Sequence, residues 1–158
     1  MSSDEMSIIR DEHQDYLAIP LPGAEGIWAK VLKVDEARDR VVVKIRFEPG
    51  SCLPRHIHHC RAVAYTISGE WAYDEGSFKP GESAFELEGN EHTAWSDNGA
   101  ELFIVFDGND GKYLDNFLAD GTVVKLDMPY FKAMEGLSTE QASQLDVFSL
   151  VEIVPPTA

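Results

Sequence analysis

The sequence predicts a single all-β domain, a sandwich or closed barrel, followed by short C-terminal helices. From Gly26 onward, short runs of β-type residues alternate with boundaries that carry Gly, Pro, Asp or Asn. Many short strands at this spacing are typical of sandwiches and closed barrels. A length of 158 residues and a hydrophobic fraction of 44% suit one domain with one core.

The order of the predicted elements follows from these runs. The first eight predicted strands are residues 27–34, 40–47, 52–58, 62–67, 71–73, 82–87, 92–95 and 102–106. Residues 113–117 and 122–126, separated by an Ala-Asp-Gly turn, predict a late hairpin. Residues 129–135 predict one short helix. Ser138, with Gln141 three residues later, predicts the capping box of a second.

The chain divides into a loose N-terminal arm at residues 1–15, the β domain at 16–128, and short helices with a tail at 129–158. The arm is polar and acidic and lacks the basic start and apolar run of a secretory signal. No segment is long and apolar enough to span a bilayer. Two cysteines without a C-x-x-C pattern predict free thiols in the reducing cytoplasm.

The chain is strongly acidic. It carries 28 Asp and Glu residues against 13 Lys and Arg, a formal net charge of −15. This charge repels the phosphate backbone of nucleic acids and the surface of anionic membranes, so both are disfavoured as partners. The charge suits a soluble protein and would weakly repel highly anionic substrates at long range.

The histidines carry the strongest chemical signal. In a strand, His56 and His58 project from the same face, about 6–7 Å apart at Cα, so both imidazoles can reach one metal ion. His92, just after a Glu-Gly-Asn turn, is the predicted third ligand. Partly buried histidines with ordinary hydrogen bonds also give an H-x-H pattern, so the pair alone is weak evidence.

The surrounding glycines strengthen the signal, because their spacing resembles the first motif of the cupin family, G-x5-H-x-H-x3-E-x6-G. Gly50, His56, His58 and Gly69 fall at the positions of this motif. The glutamate is replaced by Ala62. The resemblance implies a cupin barrel, a double-stranded β-helix of the jelly-roll type.

The second cupin motif, G-x5-P-x-G-x2-H-x3-N, is also recognisable. Gly81, Gly89 and His92 are in register with it, while Leu87 and Ser96 replace the proline and the asparagine. The two motifs are specific as a pair, because all the glycines and histidines fall at the expected spacing.

Without the motif glutamate, the site resembles the three-histidine cupins, among them acetylacetone-cleaving dioxygenases and 2,4′-dihydroxyacetophenone dioxygenase. Residues 69–73 and the late hairpin extend the likeness to these enzymes. The resemblance implies a symmetric homodimer or homotetramer. It also implies that Glu86, six residues before His92, lies beside the metal ligands and orients one of them. A solvated strand residue is the alternative for Glu86.

Three neutral imidazoles leave a divalent ion with its full charge and up to three open positions, which suits an anionic bidentate ligand and O₂. Together with the resemblance to the three-histidine dioxygenases, this makes the leading hypothesis an Fe²⁺-dependent dioxygenase that cleaves a C–C bond of a small diketone or hydroxyketone. The alternative is a cupin without redox chemistry that carries Zn²⁺ or Ni²⁺ as an isomerase, lyase or ligand-sensing module. An interaction protein with a vestigial site is a third possibility.

Several further residues have two interpretations each. Cys60 lines the pocket or ligates a soft metal as thiolate, or it is a small buried residue. Leu102 and Phe106 fall where pocket residues occur in the acetylacetone-cleaving group, or they pack in the core. Substrate contact competes with strand packing or surface ion pairs for five more: Tyr65, Trp71, Tyr73, Arg55 and Arg61.

Overall fold

The computed structural model describes residues 5–157, and within them the chain is mostly β-structure. The strands in chain order are β1 (Leu17–Ala18), β2 (Ile27–Asp35), β3 (Arg40–Phe47), β4 (Ser51–Cys52), β5 (Arg55–His58), β6 (Arg61–Gly69), β7 (Trp71–Tyr73), β8 (Gly76–Phe78), β9 (Ser83–Glu86), β10 (Glu91–His92), β11 (Trp95–Ser96), β12 (Ala100–Asp107), β13 (Leu114–Phe117), β14 (Val123–Leu126) and β15 (Glu152–Val154). The helices are α1 (Met128–Met134) and α2 (Thr139–Ala142), with 3-10 turns at Asp11–His13, Glu36–Arg38 and Val147–Leu150.

The strands form a two-layer sandwich in which neighbouring strands are antiparallel. One layer is a six-stranded sheet in the order β1-β2-β3-β12-β6-β9. The other consists of β10-β5-β13-β14-β15 and β4-β11-β7-β8, which are joined because β4 leads into β5 and β10 into β11. The all-β prediction is confirmed, although the ladders of the described residues do not close into a continuous barrel.

The strands that carry the histidines are shorter than predicted. Residues 52–58 and 92–95 were each expected to form one strand, but each is interrupted after its first residue, at 53–54 and at 93–94. Pro54 has no N–H to donate to a ladder, which accounts for the break between β4 and β5. Across the break, the Leu53 N–H donates to the Ala94 carbonyl at 2.9 Å, so the two layer segments remain connected.

The core lies between the two layers and is completed by α1. Side chains from both layers are buried there, including Val41, Val43, Leu102, Ile104, Phe106, Tyr113 and Val124. Pro129 occupies the first turn of α1, where the missing N–H costs no hydrogen bond. The helix buries four side chains, Met128, Tyr130, Phe131 and Met134, against this core.

The two terminal segments both contact the sandwich. In the described part of the predicted arm, residues 5–15, Asp11 pairs with Lys30 and Lys44 on the six-stranded sheet, at 3.2 and 3.0 Å. Residues 1–4 of that arm lie outside the described residues. At the other end, the predicted capping box of Ser138 and Gln141 is present.

The C-terminal segment is not only helical. It returns as β15, which pairs with β14 and was not expected from the sequence. Across residues 5–157, none of the helices has the length and apolar character needed to cross a membrane.

Candidate metal centre

Three histidines converge inside the sandwich. His56 and His58 are on β5 and both face inward, with only 4% and 2% of their surface exposed. His92 is on β10 and stands directly opposite His56 in the β5–β10 ladder. The three ring centroids lie 4.9–5.1 Å from one another. The period-2 alternation of β5 and one antiparallel pairing therefore bring the three imidazoles together.

The hydrogen bonds of the rings leave the Nε2 atoms free to bind an ion. His56 Nδ1 lies 3.1 Å from the Pro54 carbonyl, which assigns the proton to Nδ1 and the lone pair to Nε2. His58 Nδ1 faces the Cys60 Sγ at 3.7 Å. The Nε2 atoms of His58 and His92 are 3.1 Å apart.

These distances fit a metal site. Two nitrogens bound at right angles to an ion, each about 2.1 Å from it, lie about 3.0 Å apart. That separation matches the one between His58 and His92, and the ligand atoms of all three histidines lie within 4.8 Å of one another. The donor set, three imidazoles without thiolate, suits Zn²⁺, Ni²⁺ and Fe²⁺ alike.

Burial keeps the three imidazoles neutral. It lowers the pKa of His56 and of His92 to about 4, and that of His58 to about 2. The Pro54 hydrogen bond partly offsets this shift in the pKa of His56. Neutral imidazole is the form that binds a metal ion, so protons do not compete for the cluster near neutral pH.

Glu86 is the carboxylate beside the cluster. It is 4% exposed, and its Oε2 lies 3.4 Å from His58 Nε2, with Oε1 3.9 Å from His92 Nε2. The carboxylate therefore faces the nitrogens that would hold an ion, whereas the sequence-based expectation placed it behind a ring at the second N–H. Burial raises the pKa of Glu86 to about 7. A bound divalent cation would lower that pKa.

Tyr73 holds both Glu86 and His92. Its hydroxyl donates a hydrogen bond to Glu86 Oε1. Its ring stacks on the imidazole of His92, with centroids 3.7 Å apart and the planes 14° from parallel. Burial, followed by the neighbouring Glu86 carboxylate, raises the pKa of Tyr73 well above its ordinary value, so the phenol stays protonated as a donor.

An apolar cavity of about 70 Å³ extends from the cluster between the two layers. One water needs roughly 10–15 Å³ by this measure, so the cavity has room for about five to seven waters or for a small organic molecule. His56, His58, Tyr73 and Glu86 line one part of it, and most of the remaining wall is aliphatic or aromatic. Apolar wall residues include Val43, Leu102, Ile104, Phe106, Leu126 and Phe131.

Two of the three predicted pocket residues lie on the cavity wall, and the third does not. Leu102 and Phe106 lie on the cavity wall, and both also belong to the core. Cys60 is fully buried behind His58 and is not among the residues that line the cavity. Burial raises the pKa of the Cys60 thiol, which disfavours the thiolate form that a soft metal would need.

Sequence reasoning missed two polar residues of the cavity wall. Asn116 on β13 is 3% exposed and stands opposite His56, with its amide donating to the Val124 carbonyl at 3.1 Å. An asparagine in a strand interior is disfavoured, and this was the available signal. Tyr130 on α1 is 4% exposed and also lies on the cavity wall.

Substrate contact was one of two interpretations for five further residues. Tyr73 and Trp71 lie at the cluster or the cavity, and the other three lie away from both. Trp71 lines the cavity and donates its Nε1–H to Thr66 Oγ1 at 2.8 Å. Arg55 pairs with Glu91 at the surface. Arg61 and Tyr65 are exposed on the outer face of β6.

Comparisons with known proteins agree with this geometry. The family model of the ChrR cupin-like domain matches residues 7–109. A protein of unknown function with a cupin-like fold from Ralstonia eutropha is 22% identical, with a TM-score of 0.67 over 100% of this chain and 95% of that chain. A search of curated proteins gave no match.

Two further solved structures show how widely the fold is used. An acetylacetone dioxygenase from Acinetobacter johnsonii is 17% identical, with a TM-score of 0.68 over 85% of this chain and 95% of that chain. The polyketide cyclase RemF from Streptomyces resistomycificus is 17% identical, with a TM-score of 0.63 over 92% and 98%. These likenesses show a cupin fold that serves different reactions. In this chain the fold brings together three histidines that are able to hold a divalent metal.

Proposed function

The chain belongs to the ChrR cupin-like family, and on that premise we propose that it is an Fe²⁺-dependent dioxygenase that cleaves a C–C bond of a small diketone or hydroxyketone. The observation that carries the proposal is a cluster of three neutral imidazoles on the wall of a small apolar cavity. The acetylacetone dioxygenase among the structural neighbours supports it at the level of the fold.

His56, His58 and His92 would hold the metal ion through their Nε2 atoms. When bound, Fe²⁺ would supply the redox chemistry that lets O₂ react with a closed-shell organic molecule. Because the three ligands are uncharged, the protein leaves the positive charge of the ion to be balanced by the substrate. The donor set therefore favours a ketone that can bind as an enolate over a neutral molecule.

The chain's own residues would prepare such a ketone. Glu86 is the one carboxylate among the described residues that line the cavity, so it is placed to accept the proton that the ketone loses. Tyr73 fixes its Oε1 by a hydrogen bond, which leaves Oε2 available. The apolar wall, with Leu102 and Phe106, excludes water and accepts the apolar part of the molecule.

One observation favours a second function, a cupin with Zn²⁺ or Ni²⁺ and no redox chemistry. Glu86 Oε2 is only 3.4 Å from His58 Nε2, so a small shift would add the carboxylate to the three imidazoles as a fourth ligand. Four ligands would complete a tetrahedral site and leave no open position for O₂.

Oxygen uptake distinguishes the two functions. The full chain is loaded anaerobically with Fe²⁺ or with Zn²⁺ and mixed with a panel of small β-diketones and hydroxyketones in an oxygen-electrode cell. We expect uptake that matches ketone loss in the Fe²⁺ protein, and none in the Zn²⁺ protein or in His92→Ala. Ketone binding without uptake by the Fe²⁺ protein would favour the second function, and no binding would eliminate the dioxygenase.

A further inference from the structure

The two histidines of β5 have different partners at the ring nitrogen that points away from the cluster. His56 Nδ1 lies 3.1 Å from the Pro54 carbonyl oxygen, and His58 Nδ1 lies 3.7 Å from the Cys60 Sγ. A carbonyl oxygen can only accept a hydrogen bond, whereas a thiol can donate one or accept one. The partner of His56 therefore fixes the position of its ring proton, and the partner of His58 leaves two positions open.

The contact between His58 and Cys60 is shielded from solvent. Cys60 is fully buried, and His58 is 2% exposed, so the thiol rather than bulk water is the partner of Nδ1. Burial also raises the pKa of the thiol, which therefore keeps its hydrogen. The sulfur is thus a weak donor and a weak acceptor at once.

The other ring nitrogen of His58 faces two groups that can accept a proton. His58 Nε2 lies 3.1 Å from His92 Nε2 and 3.4 Å from Glu86 Oε2. Two nitrogen lone pairs this close repel each other unless a proton or a cation lies between them. Without a metal ion, one of the two rings must therefore carry its proton on Nε2 and donate it to the other.

Two observations favour His58 as the ring that carries this proton. Its Nε2 is nearer to the Glu86 carboxylate than that of His92, at 3.4 Å against 3.9 Å. A neutral imidazole has a single ring proton, so a proton on Nε2 leaves Nδ1 as an acceptor. Cys60 can donate to that acceptor, whereas the carbonyl beside His56 could not.

We propose that Cys60 is a positioning residue that lets His58 change tautomer when a metal ion binds. In the metal-free protein the ring proton is on Nε2, and the thiol donates to Nδ1. When an ion takes Nε2, the ring proton is on Nδ1 and the sulfur accepts it, while the thiol turns its own hydrogen away. The ring has one proton in both states, so its charge does not change. His56 keeps its proton on Nδ1 throughout.

The change of tautomer also alters what Glu86 can do. In the metal-free protein its Oε2 lies beside the proton on His58 Nε2. Once an ion has taken that nitrogen, the ring has no proton on this side, and the charge of the ion keeps the carboxylate near the cluster. Oε2 can then accept a proton from a ligand. The inference goes beyond the proposed function, because it rests on the metal centre alone and applies to any divalent ion.

Nitrogen NMR of the full chain with isotope-labelled histidine tests the proposal, because the shifts of the two ring nitrogens show which one carries the proton. Zn²⁺ is the ion used, since it is diamagnetic and has no redox chemistry. We expect the His58 proton on Nε2 without metal and on Nδ1 with one equivalent of Zn²⁺. The proton of His56 should be on Nδ1 in both samples. Spectra of His58→Gln identify the signals of His58.

Variants of Cys60 test the role of the thiol. Calorimetric titration with Zn²⁺ should show an affinity about 10- to 100-fold lower in Cys60→Ala, which has no group to accept the Nδ1 proton. Cys60→Ser should recover most of that affinity, because a hydroxyl also donates and accepts. Cys52→Ala is the matched control, since Cys52 is exposed and its Sγ contacts the Leu53 carbonyl. It should bind Zn²⁺ as wild type does.

A His58 proton that is already on Nδ1 in metal-free wild type would overturn the proposal, and this measurement stands even if Cys60→Ala does not fold. Wild-type affinity in Cys60→Ala, or an equal loss in Cys60→Ala and Cys60→Ser, would overturn the role of the thiol. If wild type binds no Zn²⁺, the metal centre fails and the inference fails with it. If the tautomer changes as expected but the Fe²⁺ protein consumes no oxygen, the inference stands and only the dioxygenase is lost.

Discussion

Glu86 stands directly opposite Ala62 in the ladder between β6 and β9. Ala62 occupies the position where the first cupin motif has its glutamate. The cross-strand pairing thus puts a carboxylate next to the place that the motif leaves empty, and it reaches within 3.4 Å of His58 Nε2. Strand β9 supplies a group that β6 lacks.

Because Ala62 and Glu86 are paired across the ladder, we expect that the carboxylate can be transferred from position 86 to position 62. We expect Glu86→Ala to weaken metal binding by about 10- to 100-fold, as is typical for the loss of a group that supports metal ligands. The double variant Ala62→Glu, Glu86→Ala should recover most of that affinity, because the new carboxylate starts from the paired position on β6. Calorimetric titration with Zn²⁺ and with Ni²⁺ measures both effects.

Glu88→Ala is the control for charge, since it removes one carboxylate close in sequence whose side chain is exposed. It should bind metal as wild type does. If Glu86→Ala binds with unchanged affinity, the carboxylate does not support the ligands. If Glu86→Ala loses metal affinity and the double variant does not regain it, a carboxylate at position 62 cannot replace the one at position 86.

The sequence was sufficient to predict which side chains share a face, because strand periodicity depends only on parity. His56 and His58 lie on one face of β5, as parity requires. Cys60 lies beyond the end of β5, with its Sγ beside His58 Nδ1. Parity does not give the distances between side chains that come from different strands. It therefore could not show that Glu86 would meet the Nε2 side of the rings, or that Tyr73 would stack on His92.

Very short strands were the elements that the sequence did not reveal. β8 and β15 have three residues each, too few for a recognisable period, and they are strands only because β7 and β14 pair with them. The outward residues of β6 (Val63, Tyr65 and Ile67) are larger than the inward ones (Ala62, Ala64 and Thr66). The sequence therefore gave no signal that one set would be left exposed.

Removal of the third imidazole should abolish metal binding. We expect about one equivalent of divalent metal in reconstituted wild-type protein and almost none in His92→Ala, because two imidazoles from one strand cannot enclose the ion. His59→Ala is the matched control, since His59 pairs with Asp115 at 3.0 Å on the other side of β5. Elemental analysis after gel filtration measures both. Equal metal contents in the two variants would contradict the three-histidine site.

A partly buried hydrogen bond between Tyr113 and Asp39 should contribute strongly to folding. Tyr113 is fully buried and its hydroxyl donates to Asp39 Oδ1 at 2.8 Å, while Gly111 N donates to Oδ2 at 2.9 Å. Tyr113→Phe leaves the carboxylate without one of its donors, so we expect the free energy of unfolding to fall by about 1.5–3 kcal/mol. Urea unfolding measures the change. Tyr65→Phe, which removes an exposed hydroxyl, should cost less than about 0.5 kcal/mol.

The attachment of the N-terminal segment should depend on pH through Asp11. Although burial raises the pKa of Asp11, its hydrogen bonds with Lys44 and Lys30 and the charges of both lysines lower it below the ordinary value of 3.8. A lowered carboxyl pKa stabilises the folded state at pH values above the unfolded pKa, and this contribution is lost as the pH falls through the folded pKa. The difference in unfolding free energy between wild type and Asp11→Asn should therefore be constant above about pH 5 and shrink below 3.8.

The size of this difference should be below about 1 kcal/mol, because the Asp11 side chain is half exposed and water screens its ion pairs. High salt should reduce it further at neutral pH. Glu12→Gln is the matched control: Glu12 is adjacent and 78% exposed, and its ion-pair partner among the described residues is His13. Its urea midpoint should follow that of wild type at every pH. A difference for Asp11→Asn that does not change between neutral and acidic pH would show that the ion pairs with Lys30 and Lys44 do not hold the segment on the sheet.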